Sequence, residues 1–417
     1  MRMPIRRSNS TRCGGSIYVY VLATSILITI MGLGALAAVR VQMQSCRLAK
    51  DCGVARACAV SAVELGLLYI QQDPNWRQIR PSGIWVQDQT LGSGMLTLQG
   101  VDPGDNTLND SEYEPLLLTG IGAKGIARHK TEVTLVPVVK PFEALNTCLH
   151  GSGLIHIKAG KRITALGAPV STNGQLNNDG VLDGDAQAQS INHQGTITGT
   201  LTVPAPNKRM PDASLITQYA SRATPIPYIA TIDKAVLTYA CNPWGSTDPN
   251  GLYFIDTAGN DLIIKNTRIH GTLVVRAIGR TVTLDNAVFC QSYRSNFPAL
   301  LVEGNLTIRF ASASLSLSES ANGTNYNPLG APYGGMWDED TTDEYPNEIR
   351  GLVHVRGTLS LQQTARVVGF VLCDGTTYGE DTNTIIHDPA LYACPPDGYT
   401  FVEGMTIAPG SWKQVVD

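Results

Sequence analysis

Charge is scarce in this 417-residue chain: Asp, Glu, Lys and Arg make up 16% of it, against about 25% in average soluble proteins. The formal net charge is −4, and the basic residues form no patch beyond the first twelve positions, so no nucleic-acid partner is expected. Aromatic residues are only 6% and do not cluster, which argues against a groove that grips sugars by stacking. Nine cysteines, at 13, 46, 52, 58, 148, 241, 290, 373 and 394, contain no CxxC and no Cys/His zinc spelling, so no metal is expected. The seven histidines are dispersed; neither a His-Asp-Ser nor a Cys-His arrangement is legible. The composition implies no catalytic site and no cofactor.

What the chain does have is one long apolar helix pattern, from Ser16 to Gln72. Its first part, Ile17 to Val39, is 23 residues without a charge. At ~1.5 Å per residue it reaches ~34 Å, enough to cross a hydrocarbon core of ~30 Å. From Arg40 to Gln72 the sequence stays helix-compatible, with no Pro. Leu48, Cys52, Ala55, Ala59, Ala62 and Gly66 recur there at spacings of four and three, a face of mostly small residues that lets another helix or a sheet approach closely. Asp73-Pro74 ends the pattern, because the residue before proline is pushed out of helical geometry. Arg2, Arg6, Arg7 and Arg12 precede the apolar run, while Arg40, Arg47 and Lys50 follow it with Asp51, a modest bias toward a cytoplasmic N-terminus.

A basic leader, Gly14-Gly15, an apolar run opening Ser-Ile-Tyr-Val-Tyr-Val-Leu, and an Ala-rich amphipathic continuation ending Ala62-Val63-Glu64-Leu65-Gly66-Leu67 together resemble the N-terminal region of type IV pilin-like proteins, closest to the PilX-type minor pilins. The resemblance covers about 60 to 70 residues. It implies a leader removed by a prepilin peptidase after Gly15 or Gly14, with Ser16 as the new N-terminus when the cut follows Gly15. It also implies an inner-membrane anchor that packs with other pilin-like subunits in a filament. The chain departs from the family at Tyr20, where many pilins carry an acidic fifth mature residue.

Residues 73–146 read as a small β-rich segment. Ile84–Val86, Gly94–Leu98, Pro115–Leu118 and Glu132–Val138 are strand-like runs bounded by turn residues. Within it, Gly120-Ile121-Gly122-Ala123-Lys124-Gly125 spells G-x-G-x-x-G, but a β-branched run follows instead of the helix that would hold a pyrophosphate. It reads as a glycine-rich connection between strands.

Residues 147–417 repeat loosely. G-L-x-x-[IV] occurs at Gly153, Gly251 and Gly351, and G-[TN]-L-x-[VIL] at Gly199, Gly271, Gly304 and Gly357. Each copy is a short alternating strand launched from a glycine corner, as in a parallel β-solenoid. A β-sandwich also gives short strands, and the repeated spelling favours the solenoid. Pro204 to Pro227 reads as a crossing segment with a helix over 212–222 capped by Asp212, and Ala321 to Pro346 as an exposed insertion. The tail after Ile386 reads as a cover for the last coil. In an export compartment, Cys373 and Cys394 are the disulfide pair to test, with buried free thiols as the alternative.

Asp179, Asp183 and Asp185 are the candidate carboxylates of a solenoid polysaccharide hydrolase, but they lie in a glycine-rich turn where Asp is common for backbone reasons. The Gly-His-Gly and Arg-x-Lys spellings of such hydrolases are absent. An EF-hand register over the same loop puts Gln175 first and Ala186 last, where carboxylates are needed. The run Asp338-Glu339-Asp340, with Asp343 and Glu344, reads as a solvated surface or a calcium loop.

The expectation is therefore a mainly β protein. A leader (1–15) precedes a transmembrane and amphipathic helix (16–72), a small β-rich segment (73–146) and a β-solenoid-like extracytoplasmic domain (147–417). It is expected to be a single-pass, non-enzymatic bacterial inner-membrane protein whose partners are the lipid bilayer and pilin-like subunits. The competing expectation is a tethered β-helix that binds or degrades a surface polysaccharide.

Overall fold

The computed structural model describes residues 14–311 and 316–415. They form two compact units: the described residues of Met1–Val139 with Val402–Asp417, and Lys140–Phe401. The leader positions 1–13 lie outside the described residues.

In the first unit, α1 (Gly14–Gln72) is one uninterrupted helix of 59 residues. It ends where Asp73-Pro74 requires, and a single helical turn at Trp76–Ile79 follows. The sheet runs β1 (Gly83–Leu91), β2 (Gly94–Val101), β3 (Leu116–Lys124) and β4 (Ala127–Pro141) as antiparallel neighbours. The G-x-G-x-x-G spelling is not a connection: Gly120 and Gly122 lie inside β3, and Gly125 makes the turn into β4 with φ +56°. The chain's end returns to this sheet. The strand Thr400–Ile407 pairs with β4, and Lys413–Val415 pairs antiparallel with it at Glu132 to Lys130. This corrects the expected extent of the last domain, because residues 402–415 close a sheet edge that would otherwise be open.

The small-residue face of α1 is spent on this sheet. Ala55, Ala59, Ala62 and Gly66 are all buried. A Cβ on Gly120 would stand 2.1 Å from the Ala59 carbonyl oxygen, one on Gly122 1.8 Å from that of Ala55, and one on Gly66 3.0 Å from the Leu118 side chain. Two strand residues advance ~6.8 Å and four helical residues ~6 Å, so the alternate positions 118, 120 and 122 keep step with small residues on the helix. Leu98, Leu116, Leu118, Val133 and Leu135 then close over Ala62 and Val63.

The second unit is a parallel β-solenoid with its coils out of chain order. The chain starts in the middle of the stack with Leu149–Gly151, Ile155–Ile157 and Arg162–Leu166, then winds to one end at Leu201–Thr202. A crossing segment carries α2 (Leu215–Arg222) to the far end, where winding resumes at Thr224–Ile226. From there the coils return until Arg366–Cys373 and Thr382–Ile386 pair in parallel with the first coil, Val371 beside Leu149 and Asn383 beside Ile163. Asp212 lies two residues before the observed helix cap, Ser214, and its carboxylate accepts the Ser214 N–H at 2.8 Å.

The crossing is stable because the coil face beneath it points apolar groups outward. Leu215, Ile216 and Tyr219 of α2 bury Leu252, Val274, Leu301, Leu352 and Phe370. The insertion leaves between Leu300–Phe310 and Glu348–Val355, and it is not merely exposed. Its Tyr326, Ala331 and Tyr345 pack on Val236, Ala287 and Phe289. Buried Arg268 donates at 2.6 Å to the carbonyls of Tyr326, Ala331 and Pro332, pinning the loop.

The helix–sheet seam makes a direct prediction. Gly122→Ala forces the backbones apart and lowers stability by about 3 kcal/mol, whereas Gly53→Ala, in open space on the same helix, raises it by about 0.5–1 kcal/mol. Thermal unfolding of the full-length protein in detergent distinguishes the two; equal effects would contradict the seam.

Candidate functional site

Function divides α1 in two. The described side chains from Ile17 to Val39 are exposed, among them Leu22 at 65%, Ile28 at 70% and Leu36 at 68%. Ile17–Gln72 is long enough to cross a membrane, and its most apolar window has a mean hydropathy of 2.2 and none of its residues buried. Thr24, Ser25 and Thr29 direct their hydroxyls back to carbonyls one turn earlier, at 2.7–3.0 Å, which removes unpaired donors from the exposed apolar surface. The cleavage candidates Gly14 and Gly15, with Ser16, form the first turn of the helix. Of the candidate assembly face, only Leu48 and Cys52 are exposed. Ala55, Ala59, Ala62 and Gly66 serve the protein's own sheet, so that part of the face is not free for another subunit.

The other candidates are accounted for by local bonds. Asp179 lies 2.9 Å from His156 Nε2; Asp183 accepts from Thr198 Oγ1 at 2.8 Å and faces Arg162; Asp185 accepts the Thr200 N–H at 2.6 Å. Each ties one coil to the next. Cys373 and Cys394 do not pair: the Cys373 thiol is buried in the solenoid and donates to the Gly357 carbonyl at 3.3 Å, while Cys394 is exposed at a helix end. Around the acidic run, Asn327 Nδ2 donates to Asp338 and Asp343, and buried Glu319 accepts from the N–H groups of Tyr326 and Asp343 and the Tyr345 hydroxyl.

One solenoid face bears a continuous outward row: Thr231, Ile263, Thr283, Thr307, Ser360, Tyr378, His156, Asn177 and Asn192, each beside the next in parallel register. Alongside it, charges of opposite sign alternate. Asp233 pairs with Lys265 at 3.4 Å, Asp285 with Arg309 at 2.9 Å, and Lys158 reaches Glu380, whose carboxyl is held below its usual range by Lys158, Gln362 and Ser360 against the opposing effect of burial. This polar row is not legible in the sequence, because its neighbours are set by the stack rather than by chain order.

No family model matches the chain, and no curated protein matches it. Among solved structures, the competence-associated pilin ComZ from Thermus thermophilus is 12% identical with a TM-score of 0.24, over 88% of this chain and 97% of that one. The ice-binding protein_1 DUF3494 domain of Shewanella frigidimarina is 12% identical with a TM-score of 0.29, over 60% and 98%. The ice-binding protein of the Antarctic ascomycete Antarctomyces psychrotrophicus is 14% identical with a TM-score of 0.23, over 60% and 99%.

Beneath the crossing segment, His150 is buried with Nδ1 2.6 Å from Ser171 Oγ. Burial, and secondarily the charge of Lys208, lowers its pKa from 6.5 to about 4. The unfolded chain therefore takes up a proton between these values that the folded chain refuses. This contribution is full above pH 6.5 and is lost as the pH falls toward 4, about 3 kcal/mol in all. Melting temperatures of wild type and His150→Gln, measured between pH 7 and 4.5, should show a shallower acid slope in the variant; parallel slopes would remove His150 from the account.

Proposed function

We propose that this protein is a non-enzymatic, membrane-anchored, pilin-like minor subunit that displays a β-solenoid on the outer side of a bacterial inner membrane. The observation that carries this reading is the division of one continuous helix into an exposed apolar half and a half docked on an antiparallel sheet. A helix held rigidly by its own domain at one end presents its free half in a fixed direction, which suits both a bilayer and a bundle of like helices. Assembly then uses the apolar half and the exposed turn around Leu48 and Cys52, not the small-residue stripe below them. The PilX-type assignment rests on the leader, the Gly14-Gly15 site and the helix.

A second reading keeps the anchor and gives the work to the solenoid. The row through Ser360, Tyr378, His156 and Asn177 sets two adjacent rings, Tyr378 and His156, among polar side chains, a surface that suits a polysaccharide.

The test is the mature N-terminus by mass spectrometry in native cells, with and without the prepilin peptidase. A start at Ser16 or Gly15 that depends on the peptidase is the expected result. An intact leader would sink the pilin reading and leave a tethered solenoid.

A further inference from the structure

The loop from Asp102 to Pro115 joins β2 to β3 and carries five acids, Asp102, Asp105, Asp110, Glu112 and Glu114. Carboxylate oxygens of Asp102, Asp105 and Glu114 lie within 4.8 Å of one another. Asp102 is 0% exposed; its Oδ1 accepts the Gly104 N–H at 2.6 Å, but its buried Oδ2 has no donor. Glu114 Oε2 is likewise buried without a donor.

One guanidinium, Arg77, lies close enough to Asp102 and Glu114 to attract them, but it donates no hydrogen bond to either carboxylate. Arg77, buried below the loop, donates to the backbone carbonyls of Leu108 and Glu114. It thereby shapes the loop instead of pairing with its carboxylates. Buried oxygen without a donor is a costly arrangement that native proteins resolve with a water or an ion. Here the neighbours are other carboxylates, so the oxygens repel one another unless a proton is shared between Asp102 and Glu114 or a cation sits among them.

We propose that Asp102, Asp105 and Glu114 bind a divalent cation of the calcium type. All three ligands are hard oxygens, with no nitrogen or sulfur among them, which disfavours zinc and other transition metals. An irregular loop with one buried and one exposed carboxylate suits calcium, which takes six to eight oxygens in flexible geometry and completes its shell with water. Magnesium demands near-ideal octahedral ligands. The ion would lock the β2–β3 loop onto the turn at Trp76–Ile79 that ends the long helix. This inference stands whether or not the chain is a pilin-like subunit.

The full-length protein in detergent micelles, stripped with a chelator, is titrated with CaCl2 and separately with MgCl2 by calorimetry, with melting temperatures in parallel. Calcium should bind with a Kd on the order of 0.1–1 mM, as in extracellular sites, and raise the melting temperature. Asp105→Asn, which keeps the Oδ1 that accepts the Thr107 N–H while removing one of three charged ligands, should weaken binding at least about tenfold. Asp256→Asn, on an exposed corner of the solenoid, should leave it unchanged. Asp102→Asn should abolish binding; should that variant fail to fold, Asp105→Asn decides alone. No heat and no thermal shift at about 10 mM calcium, unchanged affinity in Asp105→Asn, or equal affinity for magnesium would each overturn the assignment.

Discussion

Two glycines on one strand let a helix come within backbone contact of a sheet, and the first unit depends on that contact. Gly120 and Gly122 leave no room for a Cβ against the carbonyls of Ala59 and Ala55. The helix answers with alanines at 55, 59 and 62, where any larger side chain would lift it away. Close approach turns a long, weakly amphipathic helix into a rigid strut over its second half, although its first half has no packing partner among the described residues. The sheet gains as much from the contact, because Leu98, Leu116 and Leu118 lose their water only when the helix lies over them.

The solenoid obeys the same constraint at its corners. A Cβ at Gly304 would meet the Ala277 carbonyl at 2.1 Å, one at Gly357 the Gly304 carbonyl at 2.5 Å, and one at Gly375 the Gly357 carbonyl at 2.4 Å. Glycine at a corner sets how tightly coils stack, and the inward aliphatic rows follow. The chain enters in the middle of this stack and must cross its whole length once. That crossing makes the outward apolar residues under α2 obligatory, and it gives the unit a staple between the last coil and the first that a sequential solenoid lacks.

Much of this was legible in the sequence. The helix ends at Gln72, before Asp73-Pro74, and strands appear at each G-L and G-[TN]-L spelling, because both signals act over a few residues. The coil order was not legible: Val371 lies beside Leu149, and nothing local to either residue says so. The same limit hid the return of residues 402–415 to the first sheet and the docking of Tyr326, Ala331 and Tyr345 of the insertion around Arg268. It also leaves open in the sequence whether Cys373 and Cys394 pair, since an export compartment permits a disulfide but geometry decides it, and here both thiols are free. The glycines at 120 and 122 read as a connection between strands, yet the same spelling suits a strand on which a helix lies. The acids of the 102–115 loop stand among turn-forming Pro, Gly and Asn, and only the fold brings Asp102, Asp105 and Glu114 together.

Three parts follow from these constraints in turn: an apolar half-helix that has no packing partner among the described residues, a second half fixed by glycine contact, and a stack closed by its own crossing. The most direct test places a nitroxide at Leu27 or at Leu48 in the full-length protein, reconstituted in lipid vesicles, and measures the label's accessibility to oxygen and to a water-soluble nickel reagent. The account requires the label at Leu27 to favour oxygen, as in a bilayer interior, and the label at Leu48 to favour the nickel reagent. A water-accessible label at Leu27 would contradict the anchor and, with it, the division of the helix on which the functional reading rests.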